Sequence, residues 1–561
     1  MTPADTRRRA HPLTTAGMVV VVCLGVGLRL WVLGRAPVTS DEAVVGLMAA
    51  NILHGHFTAF YWGQSYGGVE PDVTALVFLL FGQSSFTLEL TPVLMNLAAA
   101  VVVWRLGRRL FSPAVGMAAG ALFMVWPLVD VWNATVSGFR ETALLLGLVV
   151  LLFAQRIADS EVTDRRGRPL DWAVLGLAVG LGWWATPEIA YFVVPAACVV
   201  ALALVRRRIR LSLTGVAAFV PAAVLGDLPW LWSNFGDHFA SLHTPKVPGQ
   251  SFSLHLHVFV SHALPISMGL QAPLSGHWVF GHLASHVLEG LVLLAWAWWA
   301  LVLLRRGQAL ILVLYAAAYP VLYAFGPLSS DWQDGRYVVF LGPALALLSA
   351  SGADAGARWL ANRRRAGRRS ARGPAVVAMA LAVVLASCLT LDVARRFSPY
   401  APGPEGPLAT DSWTSWHTDP SAGYDALAAS VERQGLHDLV AGYWMAYVLD
   451  FESHGTLVAT DFLSDRYPPY AAAVLEAPHA GWLFYLPAGQ TPSEVAPALL
   501  EPGCISGYPC IFPAELESWL ETQGVGYQVK RLGSFVLVVP SQPIDIVKVY
   551  NTYAVPTVPV S

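Results

Sequence analysis

The sequence predicts a polytopic α-helical membrane protein of about eleven transmembrane helices with a C-terminal extracytoplasmic α/β domain. Three observations carry this reading. Of 561 residues, 55% are hydrophobic and only 13% charged, against about 25% charged in a soluble domain. Apolar runs recur from residue 15 to residue 391 and then stop. Lysine and arginine crowd into every second loop between those runs. The 21 tryptophans agree, because indole rings favour the headgroup region.

A spanning helix needs roughly 20 mostly apolar residues. Eleven runs meet that need, near 15–34, 90–110, 113–130, 140–157, 171–185, 189–205, 211–231, 283–304, 308–326, 336–352 and 374–391. The run 73–82 is too short and is expected as a helix lying on the membrane surface. With a cytoplasmic N-terminus, eleven spans place 23 basic residues inside, the largest cluster being the seven arginines from Arg358 to Arg372. Only Arg35, Arg140, Lys246 and Arg336 fall in outer loops before residue 392. This is the positive-inside pattern of a multi-pass cell-membrane protein, and one span more or fewer would scramble it. The first run follows Arg7–Arg9 as a signal peptide would, but no clean small-x-small cleavage site follows it. It is therefore expected as a retained helix, with Arg29 snorkelling near its outer end.

Composition divides the chain into a transmembrane part, 1–391, and a tail, 392–561. The tail carries eighteen Asp and Glu against seven Lys and Arg, and an odd number of spans puts it outside. A helical run from Tyr424 to Gln434, a short apolar strand, another helix and then Thr456–Thr460 suggest a small α/β domain. Cys504 and Cys510 would pair in an oxidising compartment, whereas Cys23, Cys198 and Cys388 lie in spans as packing residues.

The first outer loop holds most of the chemistry. It opens with Thr39-Ser40-Asp41-Glu42-Ala43 and continues through Phe60-Tyr61-Trp62-Gly63-Gln64-Ser65-Tyr66-Gly67-Gly68-Val69-Glu70. Adjacent carboxylates at the mouth of a membrane helix are costly to desolvate and mark a site. The same residues also read as a helix start, with Ser40 or Asp41 capping a helix through Ala43–Leu53. Residue types alone leave both readings open.

These motifs, with an arginine near the end of span one, resemble the opening of the C-type (GT-C) integral membrane glycosyltransferases. The nearest group is that of the protein mannosyltransferases and aminoarabinose transferases. Further likenesses follow in order: Thr91-Pro92 with Arg105 and Arg109, Trp126-Pro127, Ser137-Gly138-Phe139-Arg140-Glu141, Leu228-Pro229-Trp230 with Asn234, and Gly335-Arg336-Tyr337 with Pro343. The resemblance covers about 15–350.

It implies transfer of a sugar, with inversion, from a polyprenyl-phosphate-linked donor to a protein, glycolipid or cell-wall glycan acceptor on the outer face. By the same resemblance Asp41 is the general base, with Glu42 and Glu141 as supporting carboxylates. A carboxylate within reach of an acceptor hydroxyl takes its proton as the new bond forms, and cations ease departure of the lipid phosphate. Arg140, Lys246 and Arg336 are the outer cations for that task, beside Tyr337. Glu70, Tyr66 and Trp62 are candidate donor or acceptor contacts, the two aromatics by stacking on a sugar ring. Solvation, helix-start charge and an interfacial aromatic belt are the plain alternatives for all of these.

Eight of fifteen histidines lie between His238 and His286, and Asp331 and Asp334 sit nearby. No tight spacing such as His-Glu-x-x-His occurs, so no metal ligands are assigned, and a divalent metal stays a minor alternative. No phosphate-binding glycine loop, nucleophile elbow or CxxC pair is present, and the Arg358–Arg372 run needs only the positive-inside rule, so nucleic acid is excluded as a partner. The rival class is a secondary transporter or lipid-linked-sugar flippase. Transporters place charges near the bilayer midplane and often show inverted repeats. Here the carboxylates sit at the outer ends of spans, and no repeat is evident.

Overall fold

The structure is a computed structural model. It describes residues 12–33, 38–160, 169–206, 209, 213–242, 250–273, 275–326, 329–332, 335–364, 372–397, 424–462, 465–485, 511, 513–533 and 535–553. Arg35, Lys246, Asp334, Cys504 and Cys510 lie outside these residues.

Helix occupies most of each of the eleven apolar runs among the described residues, the run 113–130 being broken at Trp126-Pro127. In chain order the helices are α1 (Pro12–Leu33), α2 (Ser40–Leu53), α3 (Val69–Phe81), α4 (Ser85–Leu110), α5 (Pro113–Val125), α6 (Leu128–Asn133), α7 (Arg140–Ala158), α8 (Pro169–Ala185) and α9 (Ala190–Val205). There follow α10 (Leu213–Gly226), α11 (Leu228–Gly236), α12 (Phe252–Val258), α13 (Leu264–Ser267), α14 (His282–Arg305), α15 (Leu310–Ala324), α16 (Gly342–Arg364) and α17 (Arg372–Phe397). Among the described residues, five helices are long and apolar enough to cross a membrane: Ser85–Leu110, Arg140–Ala158, Pro187–Val205, His282–Arg305 and Val339–Trp359. The pair α10 and α11, bent by 59°, makes a sixth. Pro229 explains the break, since its ring excludes an i−4 partner and clashes with the preceding turn.

By contacts the chain divides into two compact units. One takes Met1–Val32, Pro92–Thr135 and Phe139–Ser398; the other takes Leu33–Thr91, Val136–Gly138 and Pro399–Ser561. Most of the first loop therefore folds with the tail.

In the first unit, small residues set how closely helices approach. A Cβ on Gly176 or Gly180 of α8 would stand 2.3 Å from the Phe219 carbonyl oxygen or 2.1 Å from that of Ala223 on α10. Glycine alone permits this spacing, the device helices use where lipid supplies no hydrophobic drive. Buried tyrosines find partners, as they must: the hydroxyls of Tyr315 and Tyr319 donate to the carbonyls of Phe340 and Tyr337. Cys23, Cys198 and Cys388, expected to pack inside, lie instead on exposed helix faces.

The second unit contains a five-stranded mixed sheet ordered β2-β1-β3-β5-β4. Its strands are β1 (Asp438–Ala441), β2 (Val458–Thr460), β3 (Ala480–Tyr485), β4 (Tyr527–Leu532) and β5 (Phe535–Pro540). Helices α18 (Tyr424–Glu432), α19 (Tyr443–Glu452), α20 (Pro468–Glu476), α21 (Pro513–Thr522) and α22 (Ile546–Tyr553) accompany it. The alternation expected from Tyr424 to Thr460 is present: β1 and β2 pair in parallel across α19, the crossover a parallel pair requires. Strands β3, β5 and β4 pair antiparallel. Strand β5, Phe-Val-Leu-Val-Val-Pro, is almost wholly buried between its neighbours. Strand β4 forms an edge and carries the charged pair Lys530, which donates to Gln434, and exposed Arg531, charges that discourage further pairing.

Candidate functional site

In the second unit the site begins with a helix cap. Thr39 is extended (φ −85°, ψ 165°), and Glu42, three residues on, closes a capping box with it. The Thr39 amide and hydroxyl donate to one Glu42 oxygen at 3.0 and 2.9 Å. The Ser137 amide donates to the other at 3.0 Å. The helix expected through Ala43–Leu53 is present, but neither Ser40 nor Asp41 caps it, because Thr39 alone has the extended backbone and the N3 partner the motif demands. Glu42 is 3% exposed, and burial pushes its carboxyl up to about 7 against the pull of the Thr39 and Ser137 donors.

Freed from capping, Asp41 points elsewhere. Its side chain is 48% exposed, and one carboxylate oxygen accepts the hydroxyl proton of Tyr443 from α19. The same oxygen lies 3.5 Å from Nη2 of Arg466. Arg466 also stands over the Tyr443 ring, 5.0 Å from its centroid. Burial, with Asp41 beside it, holds the Tyr443 phenol well above its ordinary range, so the hydroxyl keeps the proton it donates.

The remaining first-loop motif builds a support. Phe60 and Gly67 pair in an antiparallel bridge. Glu70, in the first turn of α3, accepts from the Gly138 amide at 2.6 Å, and the Tyr61 hydroxyl donates to the Gly138 carbonyl. The Trp62 face that the sequence offered to a sugar ring stacks on Tyr467 at 3.9 Å, and the residue is 6% exposed. Tyr66 is half-buried, its carbonyl accepting from the Tyr61 amide.

Two clusters occupy the first unit. Arg29 is not snorkelling: it is 0% exposed. It donates to Asn96 Oδ1 and to the carbonyls of Gly25 and Met124. Asn96 in turn donates to Glu141 at 2.8 Å. Asp130 is buried within the field of Arg29 and Glu141, and neither of its oxygens has a hydrogen-bond partner among the described residues. The second cluster joins Arg140, Glu188, Arg336 and Tyr337. Both guanidinium groups lie over the Tyr337 ring, at 5.9 and 5.5 Å, and both act electrostatically on the half-buried Glu188. Arg336 pairs with Asp331. The histidines form no common cluster: His255 bonds Ala324 and Gln250, His262 stacks on Trp332, and His286 pairs with Glu289 and meets the His282 ring edge-on. Among the described residues no group of three or more His, Cys, Asp or Glu is placed to hold a metal ion.

Sequence reasoning missed Asn96, Asp130, Glu188, Tyr443 and Arg466. Asn96 and Asp130 are polar residues inside apolar runs and Glu188 stands just before one, a signal that was present. The last two carry none, lying about 400 residues from Asp41.

These features define a polytopic membrane protein in which the first loop and the tail together present the half-exposed carboxylate of Asp41. Residues 71–232 match the family model of dolichyl-phosphate-mannose-protein mannosyltransferases. No curated relative matches the sequence. Among solved structures, ArnT from Cupriavidus metallidurans bound to undecaprenyl phosphate aligns at 16% identity and a TM-score of 0.56 over 94% of this chain and 98% of that one. Its apo state aligns at 14% identity and 0.56, over 95% and 99%. The oligosaccharyltransferase AglB from Archaeoglobus fulgidus aligns at 13% identity and 0.47, over 84% and 69%. The chain has the ArnT fold, and the resemblance to GT-C glycosyltransferases is borne out.

Proposed function

We propose that this protein is an inverting glycosyltransferase that moves a sugar from a polyprenyl-phosphate-linked donor to an acceptor on the extracytoplasmic face, with Asp41 as general base. In this reading the eleven helical runs are spans, the N-terminus is cytoplasmic and the tail lies outside. The observation that carries it is the state of Asp41: a half-exposed carboxylate released from capping duty and fixed through one oxygen by Tyr443 and Arg466. A base must be held in place and yet open to its substrate. Asp41 meets both conditions, whereas Glu42 and Glu141 are buried and bonded. Those two support the fold of their surroundings rather than react.

The acceptor hydroxyl gives its proton to the free Asp41 oxygen and attacks the anomeric carbon. The bond to the phosphate oxygen breaks on the opposite face, and the lipid phosphate leaves with the electron pair. Arg140, Lys246 and Arg336 are the cations proposed to meet its charge, with Tyr337 holding the arginines. The undecaprenyl phosphate held by the ArnT of similar fold favours a lipid-phosphate donor here. The acceptor is a glycan, lipid or protein of the cell envelope.

The test is sugar transfer by purified wild type and Asp41→Asn, using radiolabelled polyprenyl-phosphate sugars with an envelope extract. Transfer by the wild type and its loss in a folded variant supports the reading. Full activity in the variant removes Asp41 as base. No transfer from any donor shifts the weight to the transporter class.

A further inference from the structure

The tail reaches Asp41 through a built contact. Tyr443 is the first residue of α19, where the chain has just left β1. Its carbonyl accepts from the Ser40 hydroxyl and its own hydroxyl donates to Asp41, so one residue grips two successive positions of the α2 first turn. Arg466 arrives on the loop before α20. Its backbone amide donates to the Tyr447 hydroxyl at 2.6 Å, and the Tyr467 amide donates to Asp465 at 2.9 Å. Trp62 stacks on Tyr467 and meets Tyr470 edge-on at 6.0 Å. Gly63 has φ +64°, and a Cβ there would stand 3.0 Å from Arg466 Cδ. The glycine thus serves a left-handed turn and a close approach at once. The Trp62-Gly63 pair is a seat for the Arg466 loop.

This loop makes little sense as packing alone. Arg466 keeps its side chain 20% exposed beside a carboxylate that is itself half open, where an ordinary surface ion pair is worth little. What the two donors achieve is directional. Both address the same Asp41 oxygen, which leaves the other oxygen for a substrate proton and stops the carboxylate from rotating.

We propose that Tyr443 and Arg466 are positioning residues for Asp41, so that the tail is part of the transfer machinery rather than a separate binding module. This rests on the reading of Asp41 as the base. A group that orients a base acts on the chemical step and not on donor binding, so its removal lowers kcat and spares KM. Losing one hydrogen bond to a charged group corresponds to roughly a ten- to hundredfold effect.

The experiment compares the full-length wild type with Asp41→Asn, Tyr443→Phe, Arg466→Met and Arg466→Lys, each checked for an unchanged melting profile in detergent. The assay uses whichever polyprenyl-phosphate sugar the wild type accepts. Tyr443→Phe and Arg466→Met are expected to lose about ten- to a hundredfold in kcat with donor KM unchanged. Arg466→Lys, which retains a charge but not the planar fork, should recover part of the loss. If Asp41→Asn is dead while Tyr443→Phe and Arg466→Met keep full kcat, the positioning role falls and the base survives. If the losses appear in KM alone, the two residues bind substrate and do not position. If Asp41→Asn stays active, or the wild type transfers from no donor, both readings fall together.

Discussion

Arg29 grips the amide oxygen of Asn96 from two directions, with Nε at 3.1 Å and Nη2 at 2.5 Å. The remaining Nη1 reaches the carbonyls of Gly25 and Met124, so the guanidinium ties its own helix to α4 and α5. Asn96 passes the connection on to Glu141. A buried charge with each of its three nitrogens hydrogen-bonded is tolerable, but removing one partner strands the others. Arg29→Met is therefore expected to destabilise the transmembrane unit by on the order of 3 kcal/mol, seen as a lower melting temperature in detergent. Arg29→Lys should fail to restore it, because a point charge cannot address Asn96 and two carbonyls together. Wild-type melting of Arg29→Met would contradict the network.

Glu42 gives the second unit a pH dependence. Its carboxyl is raised from an ordinary 4.5 to about 7, chiefly by burial. Between those values the unfolded chain has released a proton that the folded chain still holds, so stability falls as pH rises through the window and levels off above it. The full effect is roughly 3 kcal/mol. Thermal unfolding at pH 5 and pH 7.5 should show the wild type weaker at the higher pH. Glu42→Gln, which cannot titrate, should lose that difference. Equal slopes in the two proteins would rule the assignment out.

Much of this was legible from the sequence, for physical reasons. Apolar runs of spanning length are helices because nothing else satisfies a backbone in lipid; helix is found in each run, and five helices, or six with the bent pair, reach spanning length and hydropathy among the described residues. The tail alternation near Tyr424–Thr460 announced strands and helices through periodicity alone. Thr39-x-x-Glu42 had the spacing of a capping box, and reading the cap at Ser40 or Asp41 overlooked that signature. Arg29 was legible as a residue but not as a partner, since snorkelling and burial differ only in what stands opposite. Tyr443 and Arg466 could not be read at all. Their meeting with Asp41 depends on the tail folding onto the first loop, and no local pattern encodes a contact across 402 or 425 positions.

The joint between α2 and α19 offers a last test. Gly46 lies inside α2, where alanine would ordinarily be favoured by about 1 kcal/mol. A Cβ at this position would stand 2.4 Å from Phe451 Cε2 and 2.7 Å from its Cδ2. The Phe451 ring is fully buried against Phe78 and has no room to withdraw. Overpacking of this kind costs about 1–3 kcal/mol, which outweighs the helix-propensity gain. Gly46→Ala is thus expected to lower the melting temperature despite placing a better helix former in a helix. Phe451→Leu alone should also destabilise, by opening a cavity. Together the two changes should be less harmful than their sum, because the new methyl occupies space the ring has vacated. A melting temperature raised by Gly46→Ala, or strictly additive effects in the double variant, would show that the two helices do not meet at this glycine.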